Sequence, residues 1–125
     1  MKFLVVDDSL AMRRIIVNAL QRIGYTHVVT AANGHDALEC FDETIDFVIT
    51  DWNMPRMSGV ELTRAIRSAA GGEVVPIMLV TTRGARQDIV AAIDAGVNSY
   101  ILKPFTPSVL REKIDRLLAT ISVAA

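Results

Sequence analysis

Five short runs of apolar and β-branched residues recur along this chain, and their spacing constrains the fold more than any other feature. The runs cover residues 3–6, 27–30, 47–50, 77–80 and 100–102. Each run is almost continuously hydrophobic, which is typical of strands buried on both faces of a parallel sheet. Segments with the 3.6-residue periodicity of amphipathic helices follow them. The alternation predicts an α/β fold, a (βα)5 domain with a doubly wound, parallel, five-stranded sheet.

Apolar stripes and end signals define the helices. In the first helix the stripe consists of Met12, Ile15, Ile16, Ala19, Leu20 and Ile23. The fourth helix has a weaker stripe, formed by Ile89, Ala92, Ile93 and Gly96. Thr106 followed by Pro107 is a favourable N-cap and first-turn pair for the last helix. We therefore expect the stripe residues to be buried against the sheet.

One domain accounts for almost the whole chain. The five units cover residues 1–121 and leave residues 122–125 as a C-terminal tail, so we expect one domain and no separate output domain. The net charge of −1 and the lack of a dense basic run argue against nucleic acid as a partner. No stretch has the roughly 18 apolar residues of a membrane helix, and no signal peptide is recognisable. With one cysteine, the sequence predicts a cytoplasmic protein that binds no membrane.

Polar residues follow the predicted strands at the edge where sites in open parallel sheets are built. Asp7 and Asp8 follow the first strand, Asp51 the third, Thr81 the fourth and Lys103 the fifth. Carboxylates about 5 Å apart repel one another by about 3 kcal/mol per pair at an effective dielectric near 20, so three of them need a counter-charge. Lys103 supplies one positive charge, and oxygen ligands favour Mg²⁺ or Mn²⁺ over zinc. The combination predicts a metal-assisted phosphoryl-transfer site.

Several motifs together resemble a known family over residues 1–121. They are Asp7–Asp8, the DWNMP run that begins at Asp51, Gly59, Thr81 and the KPF run that begins at Lys103. In this order they resemble the receiver domain of two-component response regulators. The LVT run before Thr82 and the AGVNSY and KPFTPS runs are most similar to the single-domain, CheY-like chemotaxis receivers. The resemblance implies the flavodoxin-like, CheY-like strand order 2-1-3-4-5.

The resemblance also implies roles for the acidic residues. Asp51 would be the phosphoacceptor that takes a phosphoryl group from a histidine kinase. The carboxylates of Asp8 and Asp51 and the backbone carbonyl of Asn53 would bind Mg²⁺, and Asp7 would act mainly through water. Lys103 would pair with the phosphoryl oxygens. The protein would then be no separate enzyme but a phosphoacceptor that assists its own phosphorylation and dephosphorylation.

A switch and an output surface are implied as well. Thr81 would hydrogen-bond the phosphoryl group, which would draw its loop inward and let Tyr100 change rotamer. Tyr100 and Lys113 would lie on the output surface formed by the fourth helix, fifth strand and fifth helix. Among the departures from the CheY-like pattern, Arg83 is basic where an acidic residue is common. We hypothesise that Arg83 tunes the lifetime of the phosphorylated state.

The function expected from these features is that of a stand-alone response regulator that signals by phosphorylation-dependent protein contact. We expect chemotaxis, with a CheA-like histidine kinase as the phosphodonor and the flagellar motor switch as the output protein. The resemblance is also compatible with a phosphatase as a further partner. A receiver in a phosphorelay or another non-motility pathway is the alternative. A metal-dependent phosphatase with an aspartyl-phosphate intermediate, or a flavin- or nucleotide-binding module on the same fold, would belong to a different functional class.

Overall fold

The structure, a computed structural model, describes the backbone of residues 1–124 and the side chains of residues 1–121. The strands are β1 Phe3–Val6, β2 Val28–Ala31, β3 Phe47–Asp51, β4 Ile77–Thr81 and β5 Ser99–Leu102. The helices are α1 Leu10–Arg22, α2 Gly34–Cys40, α3 Gly59–Arg67, α4 Arg86–Ala95 and α5 Pro107–Ala124. The strands form one parallel sheet in the order β2-β1-β3-β4-β5. The predicted (βα)5 architecture and the strand order are confirmed.

The sheet has a core layer on each face because side chains alternate along every strand. Leu4 and Val48 face the layer covered by α2, α3 and α4, while Phe3 and Phe47 face the layer covered by α1 and α5. All residues of β1, β3 and β4 are buried. Their near-continuous hydrophobicity is explained by this two-sided packing. The three central strands therefore give the site a rigid base.

Capping contacts define helix ends, including the predicted start of α5. Ser58 caps α3 in a reciprocal capping box with Glu61. The Thr106 hydroxyl accepts a hydrogen bond from the Val109 amide at 3.2 Å, directly before the first residues of α5. Gly96 ends α4 with φ at +110°, a value that favours glycine. The starts of α3 and α5 and the end of α4 are thus set by these residues.

In the stripes of α1 and α4, two residues were predicted wrongly. Ile15 in α1 is 51% exposed, and Ile93 in α4 is 58% exposed. Both lie at the border of their stripe, where a helix that packs on a sheet through one face leaves the flanking positions to solvent. At the C-terminus α5 extends to Ala124, so the backbone of residues 122–124 continues this helix, and residue 125 lies outside the described part of the chain.

None of the helices in the described residues is both long and apolar enough to cross a membrane.

Candidate functional site

The carboxyl ends of β1 and β3 bring three acids together. Asp7 and Asp51 are buried, while Asp8 is exposed at the rim. One carboxylate oxygen of each lies within 4.8 Å of those of the other two. The acids converge because β1 and β3 pair in parallel and end at the same edge of the sheet. The acidic cluster expected from the sequence is therefore present.

Asp51 is held by contacts that leave one of its oxygens for chemistry. Its Oδ1 accepts hydrogen bonds from the Trp52 amide at 2.9 Å and from Lys103 Nζ at 3.1 Å. A Cβ on Gly59 would overlap the Asp51 carbonyl oxygen, so glycine is required where the start of α3 packs against the strand end. The Gly59 amide donates to the Trp52 carbonyl at 2.8 Å. Both donors to the Asp51 side chain thus point to Oδ1, not to Oδ2.

Asp7 is the acid whose charge is least well compensated. Its Oδ1 accepts a hydrogen bond from the Ser9 amide at 2.9 Å. Its Oδ2 is buried and has no hydrogen-bond partner in the described residues, and Lys103 Nζ lies 3.6 Å away. Burial raises the pKa of the Asp7 carboxyl, and the nearby Asp51 charge adds to this, although the Ser9 amide and Lys103 oppose it. A buried oxygen without a donor is a site that a cation would satisfy.

The three acids fit a hard divalent cation. Their donor atoms are all carboxylate oxygens, which are the ligands that Mg²⁺ prefers. The unpartnered Oδ2 of Asp7 and the mutual repulsion of three carboxylates would both be relieved by a divalent charge. Asn53, expected to bind the metal through its backbone carbonyl, lies on the exposed loop two residues after Asp51. The residues expected to hold Mg²⁺ therefore lie at one edge of the sheet.

Thr81 and Lys103 lie beside this cluster on neighbouring strand ends. The Lys103 amide donates to the Thr81 carbonyl at 2.8 Å, which ties the end of β5 to the end of β4. Thr81 is buried, and its hydroxyl accepts a hydrogen bond from the Arg83 amide at 2.8 Å. The Lys103–Pro104 peptide bond is cis. The ammonium of Lys103 therefore bridges Asp7 and Asp51, while Thr81 bonds to its own loop.

Tyr100 and Lys113 meet on the surface formed by α4, β5 and α5. Lys113 Nζ lies 4.8 Å from the centroid of the Tyr100 ring, a cation–π distance. A cavity of about 170 Å³ separates this pair from the site, and Trp52 and Thr81 line its far side. A cavity of about 150 Å³ can hold a benzene ring. The residues expected to read out the switch thus line the same cavity as Trp52 and Thr81 of the site.

The partners of Arg83 were not predictable from the sequence. Its guanidinium contacts the side chains of Asn53, Asp88 and Trp52. These contacts join residues up to 31 positions apart through a long side chain, and no local pattern specifies its direction. The only available signal was the basic character of Arg83 at a position close to Thr81.

Comparisons with known proteins agree with this geometry. Residues 3–115 match the family described as the response regulator receiver domain. The chain is 49% identical over 122 residues to the chemotaxis protein CheY1 of Helicobacter pylori, and the match covers 96% of this chain and 98% of that protein. It is 43% identical to the chemotaxis protein CheY of Pseudomonas aeruginosa, with 98% and 99% of the two chains covered.

Solved structures give the same result. The chemotaxis protein CheY4 of Vibrio cholerae superimposes with a TM-score of 0.88 at 34% identity, over 93% of this chain and 97% of that one. The receiver domain of the Pseudomonas aeruginosa sensor histidine kinase PA1611 superimposes with a TM-score of 0.83 at 29% identity, over 94% and 97% of the two chains. That structure contains a magnesium ion coordinated in its active-site cleft.

Proposed function

The chain belongs to the response regulator receiver family, and from that membership we propose that it is a signalling switch driven by phosphorylation of Asp51. The observation that supports this most strongly is the environment of the Asp51 carboxylate. It is buried beside a second, incompletely compensated carboxylate, and a lysine ammonium neutralises only part of the local charge. A site with this charge distribution favours a divalent cation and the oxygens of a phosphoryl group.

In the proposed reaction, Asp51 Oδ2 attacks the phosphorus of a phosphohistidine on the donor kinase. The new O–P bond forms as the P–N bond breaks, and the electron pair of that bond leaves with the donor imidazole. Lys103 would stay within reach of the transferred oxygens because its ammonium already lies 3.1 Å from Asp51 Oδ1. Water would later attack the same phosphorus, the O–P bond to Asp51 would break, and inorganic phosphate would leave as the Asp51 carboxylate is restored. These residues would thus assist both steps.

Bound Mg²⁺ would neutralise charge on the phosphoryl oxygens. We propose Asp8, Asp51 and the Asn53 carbonyl as its protein ligands, with Asp7 acting through water. The unpartnered oxygen of Asp7 supports a cation at this position.

We propose Thr81, Tyr100 and Lys113 as the path from this site to a partner. The Thr81 hydroxyl would donate a hydrogen bond to a phosphoryl oxygen and move toward Asp51. The cavity between Thr81 and Tyr100 gives the tyrosine ring room to turn inward. That turn would remove the ring from Lys113 and change the surface offered to a partner.

Chemotaxis is the pathway we propose, because curated relatives with 43–49% identity are chemotaxis proteins. The donor would then be a CheA-like histidine kinase and the output partner the flagellar motor switch, with a phosphatase as a further partner. A pull-down with and without beryllofluoride would distinguish this output from a phosphorelay or another non-motility pathway. Beryllofluoride-dependent capture of a motor component supports chemotaxis, whereas capture of a phosphotransfer protein alone contradicts it.

The fluorescence of Trp52 offers a direct test of the site, since it is the only tryptophan and neighbours Asp51. Mg²⁺ and then acetyl phosphate are added in turn while its emission is followed. We expect a change at each addition in the native protein, and loss of the acetyl phosphate response in Asp51→Asn. No response to either addition, or an unaltered response in Asp51→Asn, would contradict the proposed site.

We also propose that Arg83 tunes the lifetime of the phosphorylated state. Its side chain is 44% exposed and lies on the loop that follows Thr81, where water would approach the phosphoryl group. The test is the dephosphorylation rate of Arg83→Ala and Arg83→Glu. We expect both variants to change this rate, and unchanged rates in both would disprove the role.

A further inference from the structure

The side chain of Arg83 connects two loops and a helix on one side of the site. Its Nη2 donates a hydrogen bond to Asn53 Oδ1 at 2.9 Å, and its Nη1 lies 3.8 Å from Asp88 Oδ1 in the first turn of α4. Its guanidinium carbon lies 5.0 Å from the centroid of the Trp52 ring. The loop after β4 and the start of α4 are therefore joined to the loop after β3.

The backbone of the same residue holds Thr81. The Arg83 amide donates to the Thr81 hydroxyl at 2.8 Å. Thr81 is thus bonded to a residue whose side chain is held by the opposite loop. An inward movement of the Thr81 loop would carry Arg83 with it, and the guanidinium could not keep all of its present partners.

We propose that Arg83 is a latch that holds the loop after β4 in its resting position and must release Asn53, Asp88 and Trp52 before the loop closes on a phosphoryl group. This inference rests on the proposed function, because it concerns regulation of the same site. It differs from the lifetime role, which concerns hydrolysis of a phosphoryl group that is already bound.

The latch is weak enough to be reversible. Arg83 is 44% exposed and Asp88 is 28% exposed, so solvent screens the ion pair between them. The hydrogen bond to Asn53 is also exposed, and the stacking on Trp52 adds a modest cation–π attraction. Loss of these contacts should therefore shift the equilibrium between the resting and the closed position of the loop by about three- to tenfold.

A role of Arg83 as a positive charge and its role as a latch predict opposite changes in the affinity for an anionic ligand. If the guanidinium acted only as a positive charge near an anionic ligand, its removal would weaken binding of that ligand. If it acts as a latch, its removal strengthens binding because the loop closes at lower cost. Arg83→Lys separates the two effects, because lysine keeps the charge but cannot reproduce the fork and the planar stacking of the guanidinium.

The experiment is a beryllofluoride titration at saturating Mg²⁺. Calorimetry is the readout, because the substitutions would alter the fluorescence of Trp52, which Arg83 contacts. Beryllofluoride mimics the phosphoryl group and is not hydrolysed, so its midpoint reports the equilibrium alone. The variants are Arg83→Ala, Arg83→Lys and the matched control Arg86→Ala. Arg86 is exposed at the first position of α4 and makes no side-chain hydrogen bond or ion pair within the described residues.

We expect Arg83→Ala to lower the beryllofluoride midpoint three- to tenfold, Arg83→Lys to lower it in the same direction, and Arg86→Ala to leave it unchanged, all at saturating Mg²⁺. Amide exchange of Asp88 and Ile89 without ligand should become faster in Arg83→Ala. An unchanged or raised midpoint in Arg83→Ala overturns the latch, even if exchange is faster. Absence of a beryllofluoride response in the native protein instead refutes the proposed function.

Discussion

Charged side chains at the two edges of the sheet are compensated to different degrees. At the amino ends of β4 and β5, the guanidinium of Arg67 has five hydrogen bonds within 3.2 Å. The acceptors are the carbonyls of Gly72, Val75 and Gly96 and the side-chain oxygen of Asn98. At the carboxyl ends, three carboxylates share one ammonium, and a buried oxygen of Asp7 has no donor within the described residues.

The backbone shows the same contrast. Near Arg67, the residues with left-handed φ are Gly71 at +80° and Gly96 at +110°. At the site edge, the residue with left-handed φ is Arg56 at +68°, which carries a Cβ. At the Arg67 edge, the charged group is thus hydrogen-bonded and the left-handed residues are glycines. At the site edge, the carboxylates repel one another and a residue with a Cβ has left-handed φ. The difference indicates that stability is concentrated at the first edge and that the second is arranged for ligands.

The largest expected change in stability comes from removing the hydrogen bonds of Arg67. Arg67→Ala should lower the free energy of unfolding by about 3 kcal/mol, because several buried carbonyls lose a charged donor. Denaturant unfolding measures this. Arg64→Ala, an exposed arginine one turn earlier on α3, should cost less than 0.5 kcal/mol. A loss below 1 kcal/mol in Arg67→Ala would show that the cluster does not stabilise this edge.

At the acidic edge, we expect a substitution to raise the free energy of unfolding rather than to lower it. Because burial raises the pKa of Asp7, its ionised form lowers stability at neutral pH and its protonated form does not. Asp7→Asn should therefore raise the free energy of unfolding of the metal-free protein at pH 7, because it removes the charge of a buried carboxylate. The gain should shrink as the pH falls through the raised pKa, because native Asp7 then takes up a proton and loses the same charge.

Urea unfolding at several pH values without metal checks this prediction. The control is Asp94→Asn, an exposed acid on α4 without a side-chain hydrogen bond or ion pair within the described residues, which should change stability by less than 0.5 kcal/mol. Destabilisation by Asp7→Asn at pH 7 would mean that Lys103 compensates the carboxylate fully.

The smallest effect is expected from the backbone. Arg56→Asn should raise stability by about 0.5 kcal/mol, because asparagine tolerates left-handed φ better than arginine does. Arg56→Ala keeps a Cβ without this tolerance and should bring no gain. Thermal unfolding of both variants measures the difference. Equal stability of the two would remove strain as a distinction between the edges.

The sequence predicted what depends on periodicity and strand ends. All residues of β1 are buried and its bounds were predicted correctly, whereas the edge strand β2 begins one residue later than expected. His27 lies outside β2 but still accepts a hydrogen bond from the Phe3 amide through its carbonyl. Pairing at an edge strand is specified on one side only, so its bounds are less fixed by the sequence.

The acids of the site were predictable because each lies at or just after the end of β1 or β3. The contacts of Arg67 and Arg83 were not, since they join residues about 30 positions apart through side chains with several rotatable bonds. The exposure of Ile15 and Ile93 was likewise missed, because a stripe defines the buried face of a helix but not its borders.

Covalent labelling of Asp51 tests the central claim most directly. The protein is incubated with Mg²⁺ and acetyl phosphate that carries a labelled phosphoryl group, and the incorporated label is measured. We expect labelling of the native protein and of Asp46→Asn, an exposed-acid control, and none of Asp51→Asn. Removal of Mg²⁺ should suppress labelling. Equal labelling of Asp51→Asn and the native protein would contradict the assignment of Asp51 as the phosphoacceptor.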